Sequence, residues 1–458
     1  MTLPNMAQWG KIKGINVLAT GDFTHPFWFE SLKNELEDVG NGLFKLKKEF
    51  DRPSGNKIGM GFSDMGREPV QFMLSCEISS IYSQGGKGRR IHTLFFFSNL
   101  ASVEKFNQEL VKRGSNLRSD GRPIVGIPSE VLAEIAFSCD EKALVIPAHA
   151  WTPWYSVFGS FSGFDSIEEC FGKMADKIYG IESGLSSDPA MNWQVGDLDN
   201  RSVLSFSDAH SLEKMGREAT VFEGNEISYD CIYDAIKKVS NVSKVAKVSN
   251  VKKPSETFET SETFVPSRVA FTIEFWPEEG KYHFTGHRNC NFSQSPEDSA
   301  KNGDICPVCH KSLTVGVMHR VKDLETRAQR LEVREKDGVK WMLDPDARRP
   351  AYVSLVPLLE ILSEVYGVAV GTKKVNDSYL TLINALGSEF GILLRVDIAE
   401  IRKLSSDKVA EAISKVRSRD IVVEPGYDGK FGVVKIWENG QDTNGATQDV
   451  ESQLNLFV

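Results

Sequence analysis

Short apolar runs recur through the first half of the chain at intervals that leave room for a helix between them, the spacing of strands in a parallel sheet or barrel. The residues after each run carry the chemistry. Ile15 to Ala19 leads into Gly21-Asp22-Phe23-Thr24-His25, Val70 to Leu74 into Cys76-Glu77, and Ile91-His92 opens the run Thr93 to Phe97. Ala143 to Ile146 ends at Pro147-Ala148-His149, Ile178 to Ile181 at Glu182, and Val203 to Phe206 at Ser207-Asp208-Ala209-His210. In a β/α barrel the carboxyl ends of the strands form one rim, where side chains far apart in sequence converge.

A helix is predicted at Tyr229 to Lys237, followed by a low-complexity segment in which Lys-Val-Ser-Asn-Val and Ser-Glu-Thr-Phe each occur twice with only isolated apolar residues, the composition of a linker or insertion. Beyond it, Val269 to Trp276 and Lys281 to Phe284 read as a hairpin across Pro277 to Gly280, followed by a cysteine-histidine window and a charged helix from about Lys322 to Glu335. Amphipathic helices are predicted at Ser354 to Tyr366, Asp377 to Leu386 and Ser406 to Val416, and a hairpin joins Ile421 to Val423 with Gly432 to Trp437 through Pro425 to Gly429. The boundaries that follow are 1–235, 236–264 (linker), 265–330 (hairpin and metal knuckle), 331–438 (helical, α+β) and 439–458 (polar tail).

Composition narrows the class. The 458 residues suffice for two or three domains, and 63 acidic against 54 basic side chains give a net charge of −9, which excludes a wholesale polycation and makes any basic surface local. Seven cysteines without a secretory pattern predict a reducing, cytoplasmic setting. No apolar run reaches the roughly 18 residues a membrane span needs.

The eight histidines divide into four spread over the first half and four packed into one window, His283, His287, His310 and His319. Within that window His287-x-x-Cys290 and Cys306-Pro-Val-Cys309 form two ligand pairs with two intervening residues each, which can wrap one ion tetrahedrally. The reading is a structural Zn²⁺ site with ligands His287, Cys290, Cys306 and Cys309, with His283 and His310 close enough in the sequence to be alternatives to His287. The first-half set mixes imidazole with carboxylate, and such donors favour zinc, manganese or iron in an open hydrolytic site.

The runs TGDFTHPFW (Thr20 to Trp28), LSCEIS with RRIHTLFFF, IPAHAWTPW (Ile146 to Trp154), IESGLSSDPAMNW and SFSDAHS resemble the PHP (polymerase and histidinol phosphatase) metallophosphoesterase domain, in particular its endonuclease Q branch. LTVGVMHRVKDL, RRPAYVSLVPLLEILSEVYGVAVGTKKV, GSEFGILL and PGYDGKFGVVKIW extend the resemblance over almost the whole chain apart from 237–262. It implies an α/β fold: a PHP-type distorted (β/α)7 barrel, then a zinc-ribbon region and a small α+β C-terminal domain that grips DNA. The activity it implies is cleavage of the phosphodiester 5′ to uracil, hypoxanthine, xanthine or an abasic site. Carried over by motif, His25, Glu77, His92, His149, Asp208 and His210 are metal ligands for Zn²⁺, Mn²⁺ or Mg²⁺, and Asp22 is a ligand or orienting carboxylate, with Asp22, Glu77, His149 and Asp208 as the catalytic set. PHP domains open with a strand ending in His-x-His. This chain starts MTLPNMAQWGKIKGINVL, similar to the helix after that strand, so the expectation is a barrel missing its first strand and an in-frame His-x-His upstream of Met1. Two alternatives follow, a non-catalytic DNA-binding scaffold and a PHP phosphatase of small phosphate esters.

Damaged DNA is the expected partner. Lys87, Arg89 and Arg90 adjoin His92, basic side chains from Lys311 to Arg334 form a stripe, and Trp151 and Trp154 are candidates to line a lesion pocket. The end of the chain, Gln453, Leu454, Asn455, Leu456 and Phe457, resembles the peptide that bacterial proteins insert into the replication sliding clamp.

Overall fold

The computed structural model describes residues 1–51, 62, 68–238 and 266–438. The clamp-like peptide Gln453 to Phe457 and nearly all of the 236–264 segment lie outside them.

An N-terminal helix, Leu3–Lys13, precedes β1 (Val17–Ala19), the helix Pro26–Glu35, β2 (Leu36–Asp38) and β3 (Phe44–Leu46). Next come β4 (Gln71–Gln84), β5 (Lys87–Phe97), β6 (Ile124–Val125), β7 (Leu144–Pro147), β8 (Gly180–Glu182) and β9 (Ser202–Leu204). One sheet runs β2-β3-β4-β5-β7, with β1 and β6 pairing parallel to β4, while β8 and β9 form a separate parallel pair. Among the described residues these ladders do not close into a ring.

The expected all-parallel order is corrected at the centre. β4 and β5 pair antiparallel along their length, and β5 pairs antiparallel with β7. The reason is the two-residue turn Gly85-Gly86, with φ of +61° and +75°. Two glycines in the left-handed region make a tight hairpin, whereas a parallel crossover needs a dozen or more residues.

The rest of the chain contributes β10 (Ala219–Glu223), the helix Tyr229–Lys237, β11 (Arg268–Glu274), β12 (Thr285–His287), β13 (Phe292–Gln294), β14 (Glu332–Lys336), β15 (Val339–Leu343) and β16 (Ala351–Ser354). A second sheet orders β10-β11-β16-β15-β14. Two expectations fail here. The hairpin across Pro277 to Gly280 does not form, because β11 takes β10 and β16 as partners and the chain turns through a short 3-10 helix, Pro277–Glu279. The charged helix stops at Leu324, and Glu332–Lys336 is a strand paired with β15 through Asp337-Gly338, at φ +55° and +74°. An Asp-Gly turn of this kind overrides the helix-favouring composition around it. The predicted helices appear as Leu358–Tyr366, Lys373–Leu386 and Asp407–Arg417, and the last hairpin as β17 (Val422–Glu424) with β18 (Val433–Lys435).

The apolar core runs from Leu3 to Ile436 without a break at the predicted boundaries. Trp9 stacks on Tyr379 at 6.4 Å, and Lys13 Nζ lies 2.7 Å from Glu389 Oε2 with both side chains buried. The N-terminal helix is thereby fixed to the 358–394 helices.

The interior also holds a carboxyl group. Glu274 is fully buried and accepts hydrogen bonds from Ser205, Thr272 and, at 3.3 Å, Ser183. Burial is the main cause that pushes it up to about 7, against those hydrogen bonds. A carboxyl raised in the folded state stabilises below its unfolded pKa of 4.5, and that contribution is lost as pH rises through about 7. Glu274→Gln, which keeps the acceptor oxygen and cannot ionise, is expected to flatten the fall in melting temperature between pH 5 and pH 8. Parallel profiles for the two chains would refute this.

Candidate active site

Glu77 and His92 come from the β4–β5 hairpin. Glu77 pairs across from Leu94 and Ser79 from His92, so the two lie diagonally on one face, within reach of long side chains. They therefore stand within strands rather than at strand ends. His149 arrives two residues beyond β7, at φ +30°. Asp22 and Asp208 have φ of +48° and +43°, so three predicted ligand positions hold the left-handed backbone that non-glycine residues avoid at a cost of about 1–3 kcal/mol. Such strain persists only where the surroundings enforce it.

For His149 those surroundings are visible. Its backbone N–H donates to Glu182 Oε2 at 2.7 Å, and Nδ1 lies 3.1 Å from Thr152 Oγ1. Gly184, at φ +64°, passes so close that an added Cβ would stand 2.6 Å from His149 Cβ. Gly184→Ala is accordingly expected to displace the imidazole and weaken Mn²⁺ binding by roughly 10- to 100-fold, the range for changes in a ligand's support. Calorimetric titration with Mn²⁺ measures it, and unchanged affinity would disprove the role of this contact.

Glu77, His92 and His149 each offer a donor atom within 4.8 Å of the others. Glu77 Oε1 lies 2.7 Å from His92 Nδ1 and 3.5 Å from His149 Nε2, and the two histidine nitrogens are 3.0 Å apart. Donors about 2.1 Å from a shared ion stand roughly 3 to 3.5 Å apart; two of the three separations fall in that range, and the third, the 2.7 Å Glu77–His92 hydrogen bond, would open slightly to admit a divalent cation. Burial raises the Glu77 carboxyl, but hydrogen bonds from His149 and His92 outweigh it and hold the group well below its ordinary range, as a carboxylate. Burial drives His92 down to about 4, which keeps it a neutral, metal-competent imidazole. Arg122 Nη1 lies 3.4 Å from Glu77 Oε1 and is partly exposed, a cation at the mouth of the site.

The other candidates stand apart from this group. Asp22 is raised by burial, by Asp120 and by Glu77. His25 caps the helix Pro26–Glu35 and lies against Phe27. Asp208 and His210 are exposed on one loop, with His210 Nδ1 3.0 Å from the Asp208 carbonyl, which also accepts from Arg217. Glu182 is fully buried and pushed up by burial to about 8, and it serves as the anchor of the His149 amide. Sequence reasoning assigned no role to Thr152, and it placed Tyr155 only among the rings near the site; the Tyr155 ring lies 4.8 Å from His92 and its carbonyl accepts the His92 N–H. Only the fold brings these neighbours together.

The second group, His287, Cys290, Cys306 and Cys309, also has its donor atoms within 4.8 Å of one another. His287 ends β12, Cys290 closes the following 3-10 turn, and His287 Nδ1 is 3.2 Å from Cys309 Sγ. His283 and His310 are not in this set.

The basic and aromatic candidates divide. Lys87 and Arg90 are exposed, but Arg89 donates to the Gly163 carbonyl and lies 3.9 Å over the Phe164 ring, pinning a loop. Arg320, Arg327, Arg330 and Arg334 of the predicted stripe pair with Asp165, Asp199, Asp346 and Glu332, and so are committed to acidic neighbours. Trp151 is a correction: it is buried, donates to Asn192 Oδ1 at 2.7 Å and stacks on Phe158, which makes it a core residue. Trp154 is half-buried against Phe161. No helix of the described residues is long and apolar enough to cross a membrane.

Residues 357–420 match a family model described as the MJ0043 C-terminal domain. Over 293 residues the chain is 30% identical to the uncharacterized protein MJ0043 of Methanocaldococcus jannaschii, covering 62% of this chain and 31% of that protein, so it spans about a third of that relative's length. It is 26% identical over 356 residues to the uncharacterized protein YqxK of Bacillus subtilis, 78% of this chain and 76% of that one. The crystal structure of the lesion-specific endonuclease PfuEndoQ from Pyrococcus furiosus superposes with a TM-score of 0.72 at 28% identity, over 95% of this chain and 90% of that one. Endonuclease Q in complex with a 27-mer duplex bearing an abasic lesion at the active site gives 0.72 and 28% over 96% and 92%. With likeness of sequence and fold along nearly its whole described length, the chain resembles endonuclease Q and shares its fold.

Proposed function

We propose that this chain is a metal-dependent DNA endonuclease that nicks the phosphodiester 5′ to a deaminated base or an abasic site. The observation that carries the reading is the Glu77–His92–His149 donor set on a fold similar to that of an endonuclease solved with an abasic duplex at its active site. Glu77, His92 and His149 would hold the cation, Zn²⁺, Mn²⁺ or Mg²⁺, which when bound polarises a phosphoryl oxygen and lowers the pKa of water. The chain's own groups do the rest. Glu182 and Gly184 orient His149, Arg122 offers a charge to a phosphate, and the exposed Lys87 and Arg90 attract the strand. Asp22, His25, Asp208 and His210 would extend the site along a PHP-type barrel rim.

In the same reading His287, Cys290, Cys306 and Cys309 hold a structural Zn²⁺, a closed four-ligand set of the kind that folds a small knuckle. The segments 1–235, 265–330 and 331–438 would act as barrel, knuckle and DNA-gripping unit.

The test is incubation of the chain with duplexes carrying uracil, hypoxanthine or an abasic site, in Mg²⁺ or Mn²⁺. Nicks on the 5′ side of the lesion and none in undamaged duplex are expected. Binding without nicking would favour the non-catalytic scaffold, and hydrolysis of a small phosphate ester without nicking would favour the phosphatase.

A further inference from the structure

The loop that carries His149 also presents aromatic rings to solvent. Thr152 Oγ1 lies 3.1 Å from His149 Nδ1 and donates to the Trp154 carbonyl at 2.9 Å, coupling the metal-type site to the next turn of chain. There Trp154 and Phe161 stack at 4.6 Å with their planes 4° apart, and Tyr282 meets Trp154 edge-on at 5.6 Å. Lys281 stands 5.6 Å from the Tyr282 ring and 5.9 Å from Phe431, and Lys430 is exposed next to Phe431. Three distant parts of the chain thus meet in one aromatic surface rimmed by lysines.

Two of these rings are out in solvent, Phe161 at 51% exposure and Phe431 at 45%. A single exposed ring is ordinary, but contiguous rings beside cations mark an interaction surface. Phe161 is held in place. Its N–H donates to the Pro153 carbonyl at 3.0 Å, Gly163 N–H donates to the Gly159 carbonyl at 2.9 Å, and Ser160 Oγ donates to the Val315 carbonyl at 3.3 Å. A ring fixed in advance loses little entropy when something stacks on it.

Resting on the endonuclease reading above, we propose that Phe161, backed by Trp154, is a stacking platform for an unpaired base of the DNA strand being cut, with Lys281 and Lys430 drawing in its phosphates. Flat π faces with cations at their edge complement a strand whose bases are flat and whose backbone is anionic. A base held there cannot return to the duplex. The platform therefore favours unpaired over paired DNA, next to the residues that would hold the metal.

The experiment measures fluorescence anisotropy of a labelled 15-mer of deoxythymidine and of a fully paired 15-mer duplex. For Phe161→Ala, affinity for the single strand should fall roughly 10-fold with the duplex unchanged, as for loss of one stacked base, and Phe161→Trp should restore it. Lys281→Ala should weaken binding of both and lower the salt slope by about one. Unchanged single-strand affinity in Phe161→Ala, or equal losses on both DNAs, overturns the platform. So does a self-association that Phe161→Ala abolishes while DNA binding stays the same, which would make the patch an interface between copies. If the unaltered chain nicks lesions and only the platform result fails, the endonuclease reading stands; if it binds neither DNA, both fall.

Discussion

On the endonuclease reading proposed above, Glu77→Gln is expected to lower the rate of nicking at an abasic site by on the order of 10³-fold, the worth of several kcal/mol of lost charge stabilisation. One oxygen of Glu77 faces His92, His149 and Arg122 at 2.7, 3.5 and 3.4 Å, so the amide removes the only anion of the group while leaving its shape. The hydrogen bonds that hold this carboxyl well below its ordinary range are lost or reversed in the same step. Rates are read on a denaturing gel in excess Mn²⁺, and bound metal by elemental analysis. The variant should lose the metal of this group and keep that of the His287, Cys290, Cys306 and Cys309 group. A rate within tenfold of the unaltered chain's would remove Glu77 from the centre of the chemistry.

The second large effect is on folding. Lys13→Met leaves the Glu389 carboxylate buried with Tyr379 and Leu358 N–H as its remaining partners, at 2.5 and 3.0 Å. Removing one member of a buried pair costs about 3–5 kcal/mol. The urea midpoint should fall accordingly, and hydrogen exchange should quicken first in Leu358–Tyr366 and Glu389–Leu394, the helices nearest the lost charge. Lys13→Met with Glu389→Gln should recover most of the loss, since no lone charge is then buried. Equal midpoints for Lys13→Met and the unaltered chain would show that the N-terminal helix is not what secures this end of the fold. The pair joins positions 13 and 389, far apart in the sequence, and no local pattern announces it.

The His287, Cys290, Cys306 and Cys309 donor group was the most legible element. Its donors occur in two short pairs, and a turn of two residues brings each pair to one side whatever the rest of the chain does. The C-terminal helices were legible for a similar reason, because Leu358–Tyr366 and Asp407–Arg417 show their buried stripe in the sequence itself. The first-half site was legible only as an inventory. Its chemistry could be read from residue types, but of seven candidates the fold draws Glu77, His92 and His149 into one donor group.

What separated them was strand pairing. The apolar runs around Glu77 and His92 look alike whether the strands are parallel or antiparallel, and only Gly85-Gly86 marked the hairpin that sets those side chains diagonally opposite. Trp151 and Trp154 show the same limit. Three residues apart in one aromatic run, one is sealed in the core with its N–H on Asn192 and the other stacks beneath an exposed ring.

The sequence by itself determined the kinds of candidate donor side chain, the two short His/Cys pairs, the local helices and the resemblance to endonuclease Q. Each depends on residues close together or on motifs that survive without coordinates. The tertiary structure alone decided which carboxylate meets which imidazole, which basic side chains are already paired, and that the first helix locks onto residue 389. Those contacts join distant positions, and their energies come from burial and charge at short range, which the order of residues along a chain does not record.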